Sequence, residues 1–593
     1  MNKYHKFHKN TLKIEKNNIK YYEKEMGEFM KKKWEYYDID ENMVENIMKK
    51  HNISRLIAQV LVNRGIVEEK EIQVFLNPTR NDFTDPFLMK DMDKATERII
   101  EAINKKEKII IYGDYDVDGI TSITVLKKFL EERGIEVDSY IPNRLEEGYG
   151  LNKEAIKQIS DNKYTLMITV DCGISGIEEV ELANKLGIET IITDHHEQAD
   201  ILPNAYCIIN PKKKDDTYPF RGLAGVGVVF KLIQAISIKL ELDAKEYLKY
   251  LDIVCVGTIS DIVPLVDENR TIATLGLKLI KQTRNIGLKE LIIASGNKEI
   301  NSTTISFGIA PRINASGRMG KQMEALELFL TKDISEAKKI THKLNEYNLE
   351  RQETEKRIYD EVIELINKEN MLEKNTIVLG SKNWHHGVIG IVASKITEKF
   401  FKPTILICFE DEIGKGSGRS VPGFDLHGAL SKCTDVLEKY GGHEMAIGLT
   451  VSEEQFEAFG DKFEQIAEYE NIKEIQPVIK IDSQLTVKDM DKKSIEQIKL
   501  LEPFGEQNKQ PIFIYKNLKI DSIRTLSEGK HLKLNLKDGN FTLNAIGFNL
   551  GDLADEFLMG DKVDVVGTLE INKFNGIETI QMNLRDIMKS IKT

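Results

Sequence analysis

A short apolar run, a turn rich in aspartate or glycine, and a stretch with apolar residues at helical spacing follow one another repeatedly between residues 106 and 270. Residues 108–112 (KIIIY) precede the turn GDYDVDG and the amphipathic stretch ITSITVLKKFLEERG. VDSYI, TLMITV, TIIT and YCIIN open later rounds of this pattern. Because short strands that alternate with amphipathic helices form βαβ units, the pattern predicts a mainly parallel sheet.

The chain of 593 residues is long enough for roughly four folded units at about 150 residues each. We predict an α/β fold in which the parallel-sheet domain and a smaller α/β domain are joined by a long helix and followed by a small β-barrel. The predicted segments are a basic N-terminal arm (1–33), a helical segment (34–105), the parallel-sheet domain (106–270), a helical connector (271–370), the smaller α/β domain (371–465) and the barrel (477–593). The lysine-rich arm is interpreted as unstructured surface, with a nucleic-acid tether as the alternative.

Composition indicates a soluble cytoplasmic protein without a membrane partner. The five cysteines are scattered singly with no CxxC pair, which argues against a disulfide framework and against structural zinc. The sequence contains no run of about 18 apolar residues and no signal-peptide pattern at its start. Since the formal net charge is −12, any contact with nucleic acid must come from local patches.

Acidic and histidine side chains follow the predicted strands. They are Asp114, Asp116, Asp118, Asp171, Asp194, His195, His196 and, after the apolar segment IVCVGTIS, Asp261. We expect them to converge, because the carboxyl ends of parallel strands open on one crevice. Carboxylates that close together need a compensating cation, which predicts a metal site.

The number and type of these ligands favour two divalent ions about 3.5–4 Å apart. Tetrahedral zinc takes too few ligands, and mixed oxygen and imidazole donors favour Mn²⁺, with Mg²⁺ as the second choice. The alternative is that single aspartates cap helices and that His195 and His196 are core residues. Four such clusters at the ends of predicted strands favour the metal site.

The motifs GDYDVDG, VDCG, TDHH and SDIVPL, in this order, resemble those of the DHH phosphoesterase superfamily, and GSGRS and GGHEMAIG resemble its DHHA1 domain. With APRINASGR and the terminal barrel, of the OB type, the resemblance runs from about Trp34 to the C-terminus. The match to the RecJ branch, single-stranded-DNA-specific exonucleases, is close.

This resemblance implies a role for each motif residue. Asp116 and Asp118 would bind metal, Asp171 would bridge two ions, and His195 and Asp261 would complete the ligand set. The catalytic candidates are His196 against the scissile phosphate, Asp194 beside it, and Asp114 as an outer ligand or an orienting group.

One position departs from part of the superfamily. Pyrophosphatases and oligoribonucleases carry a metal-binding histidine four residues before the first aspartate of the DxD pair, where this chain has Tyr112. The departure favours the RecJ branch and predicts that one ion has fewer protein ligands and binds more weakly.

The second α/β domain and two arginine-containing motifs supply the candidates for substrate binding. GKGSGRS is interpreted as a source of open backbone amides for phosphate, with tight turns as the alternative. The predicted substrate-binding residues are Arg144, Tyr149, Arg312, Asn314, Arg318, Ser417, Arg419, Gly441, Gly442 and His443. Residues 384–386 (WHH) stay open between packing and substrate contact.

Two further patterns have plain readings. GLAGVG at 222–227 lacks the context of a dinucleotide fingerprint, so we interpret it as close helix packing. The barrel has seventeen basic and seventeen acidic residues from Pro477 onward. Its aromatics are candidates for base stacking or for the core: Phe513, Tyr515, Phe541 and Phe548.

Together these features predict a metal-dependent exonuclease that degrades single-stranded DNA from the 5′ end to 5′-mononucleotides, in DNA repair and recombination. The polarity and the strand preference come from the resemblance, as do the expected partners, a single-strand-binding protein and a RecQ-type helicase; we expect a monomer. One alternative is a DHH phosphodiesterase for short oligonucleotides or cyclic dinucleotides, which would not need the barrel. A non-catalytic scaffold is the other, and it should have lost ligands that this chain retains.

Overall fold

The structure, a computed structural model, describes residues 32–143, 147–148, 150–574 and 576–590. It divides into two units. One comprises the chain up to Ile72 with Ile466–Glu502 and Gln510–Thr593, and the other comprises Gln73–Gln465 with Pro503–Lys509. The predicted basic arm lies outside the described residues except for its last two positions, and Arg144 and Tyr149 lie outside them as well.

The segment that precedes the parallel sheet is mainly helical, as the sequence predicts, but it begins with a strand. Its elements are β1 (Lys33–Tyr36), α1 (Glu41–His51), α2 (Arg55–Asn63), α3 (Glu69–Leu76), two 3₁₀ turns (Arg80–Asp82 and Pro86–Leu88) and α4 (Met92–Lys105). Strand β1 pairs in parallel with Val478–Ile481. Sequence reasoning missed β1 because four residues show no clear alternation and the partner strand is distant in the chain.

The parallel sheet is confirmed. Its elements are β2 (Ile109–Gly113), α5 (Val117–Glu131), β3 (Val137–Tyr140), α6 (Lys153–Asp161), β4 (Leu166–Val170), α7 (Ile177–Lys185), β5 (Glu189–Thr193) and β6 (Cys207–Ile209). The strand order is β3-β2-β4-β5-β6, and every neighbouring pair is parallel. Strands β2 and β4 are buried along their whole length, which explains their continuous apolar sequence. Apolar clusters cover both faces of the sheet.

Helices follow the sheet up to the second α/β domain. They are α8 (Gly225–Lys239), α9 (Lys245–Leu248), α10 (Leu251–Ser260), α11 (Asp267–Ile280), α12 (Ile286–Ser295), a π-helical segment (Thr304–Ile309), α13 (Ala310–Arg318), α14 (Gln322–Leu330) and α15 (Ile334–Lys368). The connecting helix is confirmed as α15, whose 35 residues span about 50 Å.

One expectation about this region is wrong. The segment IVCVGTIS belongs to helix α10, so Asp261 follows a helix and not a strand. Residues Leu251–Ile259 are all buried, and a helix that is apolar on every side has no amphipathic period to distinguish it from a buried strand.

The second α/β domain contains β7 (Ile377–Ser381), α16 (His386–Phe400), β8 (Thr404–Glu410), β9 (Ile413–Arg419), α17 (Leu426–Ser431), β10 (Lys439–His443), β11 (Ala446–Ser452) and α18 (Phe456–Tyr469). The strand order is β10-β11-β9-β8-β7, with β7 and β8 parallel and the other pairs antiparallel. Most of GKGSGRS forms the central strand β9, so this motif is neither a phosphate loop nor a turn. Its backbone pairs with β8 and β11 on its two sides.

The C-terminal part forms the expected barrel. It contains 3₁₀ turns at Ile472–Glu474, Val487–Asp489, Gln497–Leu501 and Gly551–Asp555, helix α19 (Lys492–Glu496), and strands β12 (Val478–Ile481), β13 (Ser483–Gln484), β14 (Phe513–Leu526), β15 (His531–Asp538), β16 (Phe541–Gly547), β17 (Lys562–Phe574) and β18 (Ile577–Lys589). Neighbours run in the order β14-β15-β16-β18-β17, and β17 pairs again with β14, which closes a five-stranded barrel. Within the part of the chain that the structure describes, no helix has the length and apolar character needed to cross a membrane.

Candidate metal centre and substrate cavity

The turn from β2 into α5 carries the first three aspartates. Asp116 caps α5 and its carboxylate accepts a hydrogen bond from Gly119 N at 3.0 Å. Asp114 and Asp118 are buried on either side of it. A side-chain cap at this point is a normal helix start, so the turn combines a helix cap with ligands that point into the crevice.

Asp171 follows β4 in a left-handed backbone conformation, with a φ of 58°. Its backbone N–H donates to Thr193 O at 3.0 Å, which ties the residue to the end of β5. A non-glycine residue in this conformation is strained. In this conformation the buried carboxylate lies close to Asp114, Asp116 and His195 at the sheet edge.

Asp194 holds the two histidines that follow β5. Its Oδ1 accepts hydrogen bonds from the backbone N–H groups of His195 (2.7 Å) and His196 (3.1 Å), and Oδ1 lies 2.7 Å from His196 Nδ1. Its Oδ2 accepts from Ile174 N at 2.9 Å. The structure therefore places Asp194 beneath the histidines as a positioning residue.

The acids and histidines that the sequence singles out come together. His195 Nε2 lies 3.1 Å from Asp171 Oδ1, 3.5 Å from Asp261 Oδ2 and 3.9 Å from Asp118 Oδ2. Three overlapping groups have ligand atoms within 4.8 Å of one another: Asp114, Asp116 and Asp171; Asp118, His195 and Asp261; and Asp171, His195 and His196.

Burial and mutual repulsion shift the pKa values of these groups. Burial, followed by the neighbouring aspartates, raises the pKa of Asp118 to about 7 and raises those of Asp171 and Asp261 well above 3.8. Burial, followed by the charge of His196, lowers the pKa of His195 to about 3. A neutral imidazole beside crowded carboxylates is the state in which histidine binds a metal ion.

The donor atoms fit divalent cations. Asp171 Oδ1 and Asp261 Oδ2 are buried, and neither receives a hydrogen bond of acceptable geometry from the described residues, despite the nearby imidazole. Buried carboxylate oxygens without partners are costly. Carboxylates with one or two imidazoles are the ligands of Mn²⁺ and Mg²⁺ rather than of structural zinc.

The N-terminus of α8 supplies hydrogen bonds to Asp118. Sequence reasoning missed this contact. Gly225 N donates to Asp118 Oδ2 at 2.6 Å and Val226 N donates to Oδ1 at 2.8 Å. A Cβ atom on Gly225 would lie 2.7 Å from the side chain of Asp171. GLAGVG thus allows close packing, as expected, but against metal-site carboxylates. Its glycine at a helix start was the available signal.

The side chain of Tyr112 packs in the core and not among the metal-site carboxylates. It is fully buried within the apolar cluster on the α6 and α7 side of the sheet. Its hydroxyl group donates to Gly150 O at 3.0 Å. The structure therefore gives no metal ligand at this position.

A cavity of about 540 Å³ is lined by Tyr115 of the aspartate turn and brings together several predicted substrate residues. Its lining includes Tyr115, Gly148, Arg318, His386, Gly390, Ser417 and Arg419. The glycines of β9 face the opposite side of the sheet, where Cβ atoms would collide with Ile407, Leu449 and Ile447. Because residues alternate along a strand, Ser417 and Arg419 project into the cavity.

The guanidinium group of Arg419 is oriented within this wall. It donates to Ser417 Oγ at 3.2 Å and to Gly418 O at 2.7 Å. Arg318 donates to Gly387 O at 2.7 Å, which joins α13 to the start of α16. Two arginines and a hydroxyl in one cavity suit a phosphate group.

Asn314 and Arg312, the other substrate candidates of APRINASGR, lie in different surroundings. Asn314 Oδ1 accepts a hydrogen bond from Val117 N at 3.2 Å, so it supports the aspartate turn. Arg312 lines a different cavity, and its guanidinium donates to Asn345 Oδ1 (2.5 Å) and to the carbonyl groups of Gly308 and Ala294. The expectation that Arg312 grips substrate is therefore not supported by its position, because its donors hold the surrounding helices.

The hairpin of β10 and β11 carries GGHEMAIG. Gly441, Gly442 and His443 lie on the edge strand β10, opposite cavity-lining residues of β11. Gly442 has a φ of 132°, and a Cβ there would collide with the backbone of β11. These residues border the cavity rather than line it.

The WHH segment separates into packing and cavity positions. Trp384 is 5% exposed, and its Nε1 donates to Glu361 Oε2 of α15 at 2.9 Å. His385 caps α16 through Gly387 N, whereas His386 lines the cavity.

The aromatic residues of the barrel also differ in their positions. Phe513 and Tyr515 are buried in the core, whereas Phe548 is exposed and Phe541 lines another cavity.

Comparison with known families defines the class. Residues 108–258 match the DHH family, N-terminal domain; residues 373–468 match the DHHA1 domain; and residues 481–586 match the RecJ OB domain. With the carboxylate and histidine centre, these matches define a phosphoesterase of the DHH class.

The similar proteins are more specific. The single-stranded-DNA-specific exonuclease RecJ of Bacillus subtilis is 39% identical over 562 residues, which are 94% of this chain and 71% of that protein. The crystal structure of RecJ from Thermus thermophilus in complex with Mn²⁺ matches with a TM-score of 0.83 at 29% identity, over 94% of this chain and 80% of the other. Its Mg²⁺ complex matches with a TM-score of 0.76 at 28% identity, over 94% and 79%. The chain belongs to the RecJ family of single-stranded-DNA-specific exonucleases.

Proposed function

We propose that this chain hydrolyses single-stranded DNA from the 5′ end and releases 5′-mononucleotides in a reaction that requires divalent cations. The observation that carries the proposal is the cluster of five aspartates and His195 at the sheet edge. The similarity to single-stranded-DNA-specific exonucleases supports the substrate, and the Mn²⁺ and Mg²⁺ complexes of the Thermus protein support the cation requirement.

In this proposal the centre holds two cations, with Mn²⁺ preferred and Mg²⁺ accepted. Asp114 and Asp116 would bind one cation, and Asp118, His195 and Asp261 would bind the other. Asp171 would contribute to both sites. Bound cations supply Lewis-acid activation of water and neutralise charge on the scissile phosphate. No side-chain nucleophile is needed.

His196 binds the scissile phosphate. Its Nδ1 lies 2.7 Å from Asp194 Oδ1, which orients the ring. Burial opposes the charged imidazole, but the hydrogen bond and the charge of Asp194 raise the pKa of His196 above its usual value. A protonated ring favours contact with a phosphate oxygen whose negative charge increases during the reaction.

The cavity that contains Arg318, Ser417 and Arg419 binds the 5′-terminal phosphate. Its distance from the metal centre then sets the length of the released product at one nucleotide. Gly441, Gly442 and His443 on the adjoining edge strand contact the strand backbone. Arg144 and Tyr149 stay candidates for the same role, without support from the described residues.

Each of three predicted domains has its own role in the reaction. Residues 106–270 catalyse hydrolysis, residues 371–465 bind the 5′ end, and the barrel of residues 477–593 binds the incoming strand. The boundaries of segments 1–33, 34–105 and 271–370 stay part of the proposal. The protein acts as a cytoplasmic monomer in DNA repair and recombination, with a single-strand-binding protein and a RecQ-type helicase as partners.

Digestion of an end-labelled single strand tests the proposal. A 5′ label should appear in mononucleotides at the earliest times with Mn²⁺, while a 3′ label stays in progressively shorter strands. EDTA should stop both. Cleavage of dinucleotides without activity on long strands would instead support the phosphodiesterase alternative.

A further inference from the structure

Tyr112 connects the core of the parallel-sheet domain to the segment that follows β3. Its hydroxyl group donates to Gly150 O at 3.0 Å and accepts a hydrogen bond from Asn152 Nδ2 at 3.2 Å. Both partners lie just before α6, and Asn152 also caps that helix through Ala155 N. One buried phenol thus holds Gly150 and Asn152 in place.

A second set of contacts holds Asn143 and Glu147. The ring of Tyr140 stacks on that of Tyr112 with centroids 5.2 Å apart. The hydroxyl group of Tyr140 donates to Glu147 Oε2 at 2.7 Å, and Glu147 Oε1 accepts from Asn143 N at 2.7 Å. Asn152 Nδ2 also donates to Glu147 Oε2, at 2.6 Å. Tyr112, Tyr140, Glu147 and Asn152 therefore form one connected bracket.

The bracket determines where Gly148 lies. Gly148 follows Glu147 directly, precedes Gly150 by two residues, and lines the cavity that also contains Arg318, Ser417 and Arg419. It has a φ of 83°, a conformation that favours glycine. The bracket holds a backbone without a side chain against the cavity that we assign to the 5′-terminal phosphate.

We propose that Tyr112 is a positioning residue for substrate: through Gly150 and Asn152 its hydroxyl group keeps Gly148 in the wall of the phosphate cavity. This inference rests on the proposed function of that cavity. Tyr112 acts on recognition of the 5′ end and leaves cation binding unaffected, although it lies only two residues before Asp114.

The Tyr112→Phe variant removes the hydroxyl group and keeps the ring stack. The variant loses the bond to Gly150 O, whereas Asn152 Nδ2 keeps its bond to Glu147 Oε2; loss of one such bond of ordinary strength corresponds to about a fivefold change in an equilibrium. We expect KM for a 5′-phosphorylated strand to rise about fivefold, with kcat, the Mn²⁺ concentration at half-maximal rate and KM for a 5′-hydroxyl strand unchanged. The matched control is Tyr164→Phe, which removes a hydroxyl group that donates to Asp138 Oδ2 outside the bracket and should leave KM unchanged.

The Glu147→Gln variant provides an independent check, because it weakens the other side of the bracket and should raise the same KM. Melting curves of all three variants establish that they are folded. A Tyr112→Phe enzyme with the wild-type KM, or one that changes the Mn²⁺ requirement instead, would overturn the inference. If the wild-type protein itself does not discriminate between 5′-phosphate and 5′-hydroxyl strands, the proposed role of the cavity fails. If the wild-type protein discriminates and Tyr112→Phe has the same KM values, the inference about Tyr112 fails and the role of the cavity stands.

Discussion

The carboxylate of Asp118 accepts a hydrogen bond from the backbone N–H of Gly225, the first residue of α8, at 2.6 Å. The next N–H of the helix, that of Val226, donates to the other oxygen of the carboxylate. The first N–H groups of a helix have no partner within the helix, so they stabilise a nearby negative charge. They partly offset the burial that raises the pKa of Asp118, and they bring α8 so close to Asp171 that only glycine fits.

The Gly225→Ala variant should lose affinity for cations. The added methyl group would lie 2.7 Å from Asp171, so it must displace that carboxylate, although alanine favours a helix by about 1 kcal/mol. We expect the Mn²⁺ concentration at half-maximal activity to rise at least about tenfold. Gly227→Ala is the control, since the nearest atoms to its methyl group belong to Leu223 and Asn269, at 3.3 Å or more. Equal effects of the two substitutions would contradict the close approach to Asp171.

Asp171→Asn should abolish nuclease activity without unfolding the protein. The shared carboxylate is lost, and we expect the rate to fall more than about a hundredfold, while the melting temperature without metal stays equal or rises because one repelling charge is gone. Asp252→Asn is the control, a buried aspartate that accepts a hydrogen bond from Thr283 and lies outside the metal-site groups. Turnover by Asp171→Asn at the rate of the control would refute the assignment.

Cation binding should depend on pH near neutrality. The raised pKa of Asp118, about 7, means that the folded, metal-free protein holds a proton which the unfolded chain loses near 3.8, so stability falls as pH rises through about 7. The lowered pKa of His195 acts in the opposite direction only below pH 6.5.

Since cations bind the deprotonated carboxylates, the increase in melting temperature caused by saturating Mn²⁺ should be larger at pH 8 than at pH 6.5. Differential scanning calorimetry measures it. An increase that shrinks with pH would contradict the raised pKa values.

Arg419→Ala should weaken recognition of the 5′ end. The variant removes a guanidinium group from the cavity wall, and charge-assisted bonds of this kind contribute about 2 kcal/mol. We expect KM for 5′-phosphorylated strands to rise about thirtyfold, with little change for 5′-hydroxyl strands, in steady-state assays. Lys382→Ala in the same domain, where the lysine pairs with Glu453 on the surface, is the control for a simple loss of positive charge; a similar change in that variant would exclude a specific cavity.

Much of the site could be predicted because its ligands follow the sheet strands directly. Asp114, Asp171 and Asp194 come at the ends of β2, β4 and β5, and parallel strands place such residues on one edge. Asp261 was identified although the segment before it was taken as a strand and is the helix α10, because the motif SDIVPL pointed to the same residue. Arg312 stays a prediction from its motif alone, because local sequence does not show that its guanidinium group donates to Asn345, Gly308 and Ala294.

The sequence by itself determined the alternation of strands and helices, the metal-binding residue types, and the barrel, since each depends on periodicity or on short motifs within one segment. The tertiary structure alone decided which oxygen faces which partner. The N-terminus of α8 donates to Asp118, and Tyr112 donates to Gly150; both contacts join segments that are distant in the chain. The side chains of Ser417 and Arg419 face the cavity because of the side of the sheet that α16 covers. Such contacts depend on how the elements pack, and local sequence does not encode packing distances.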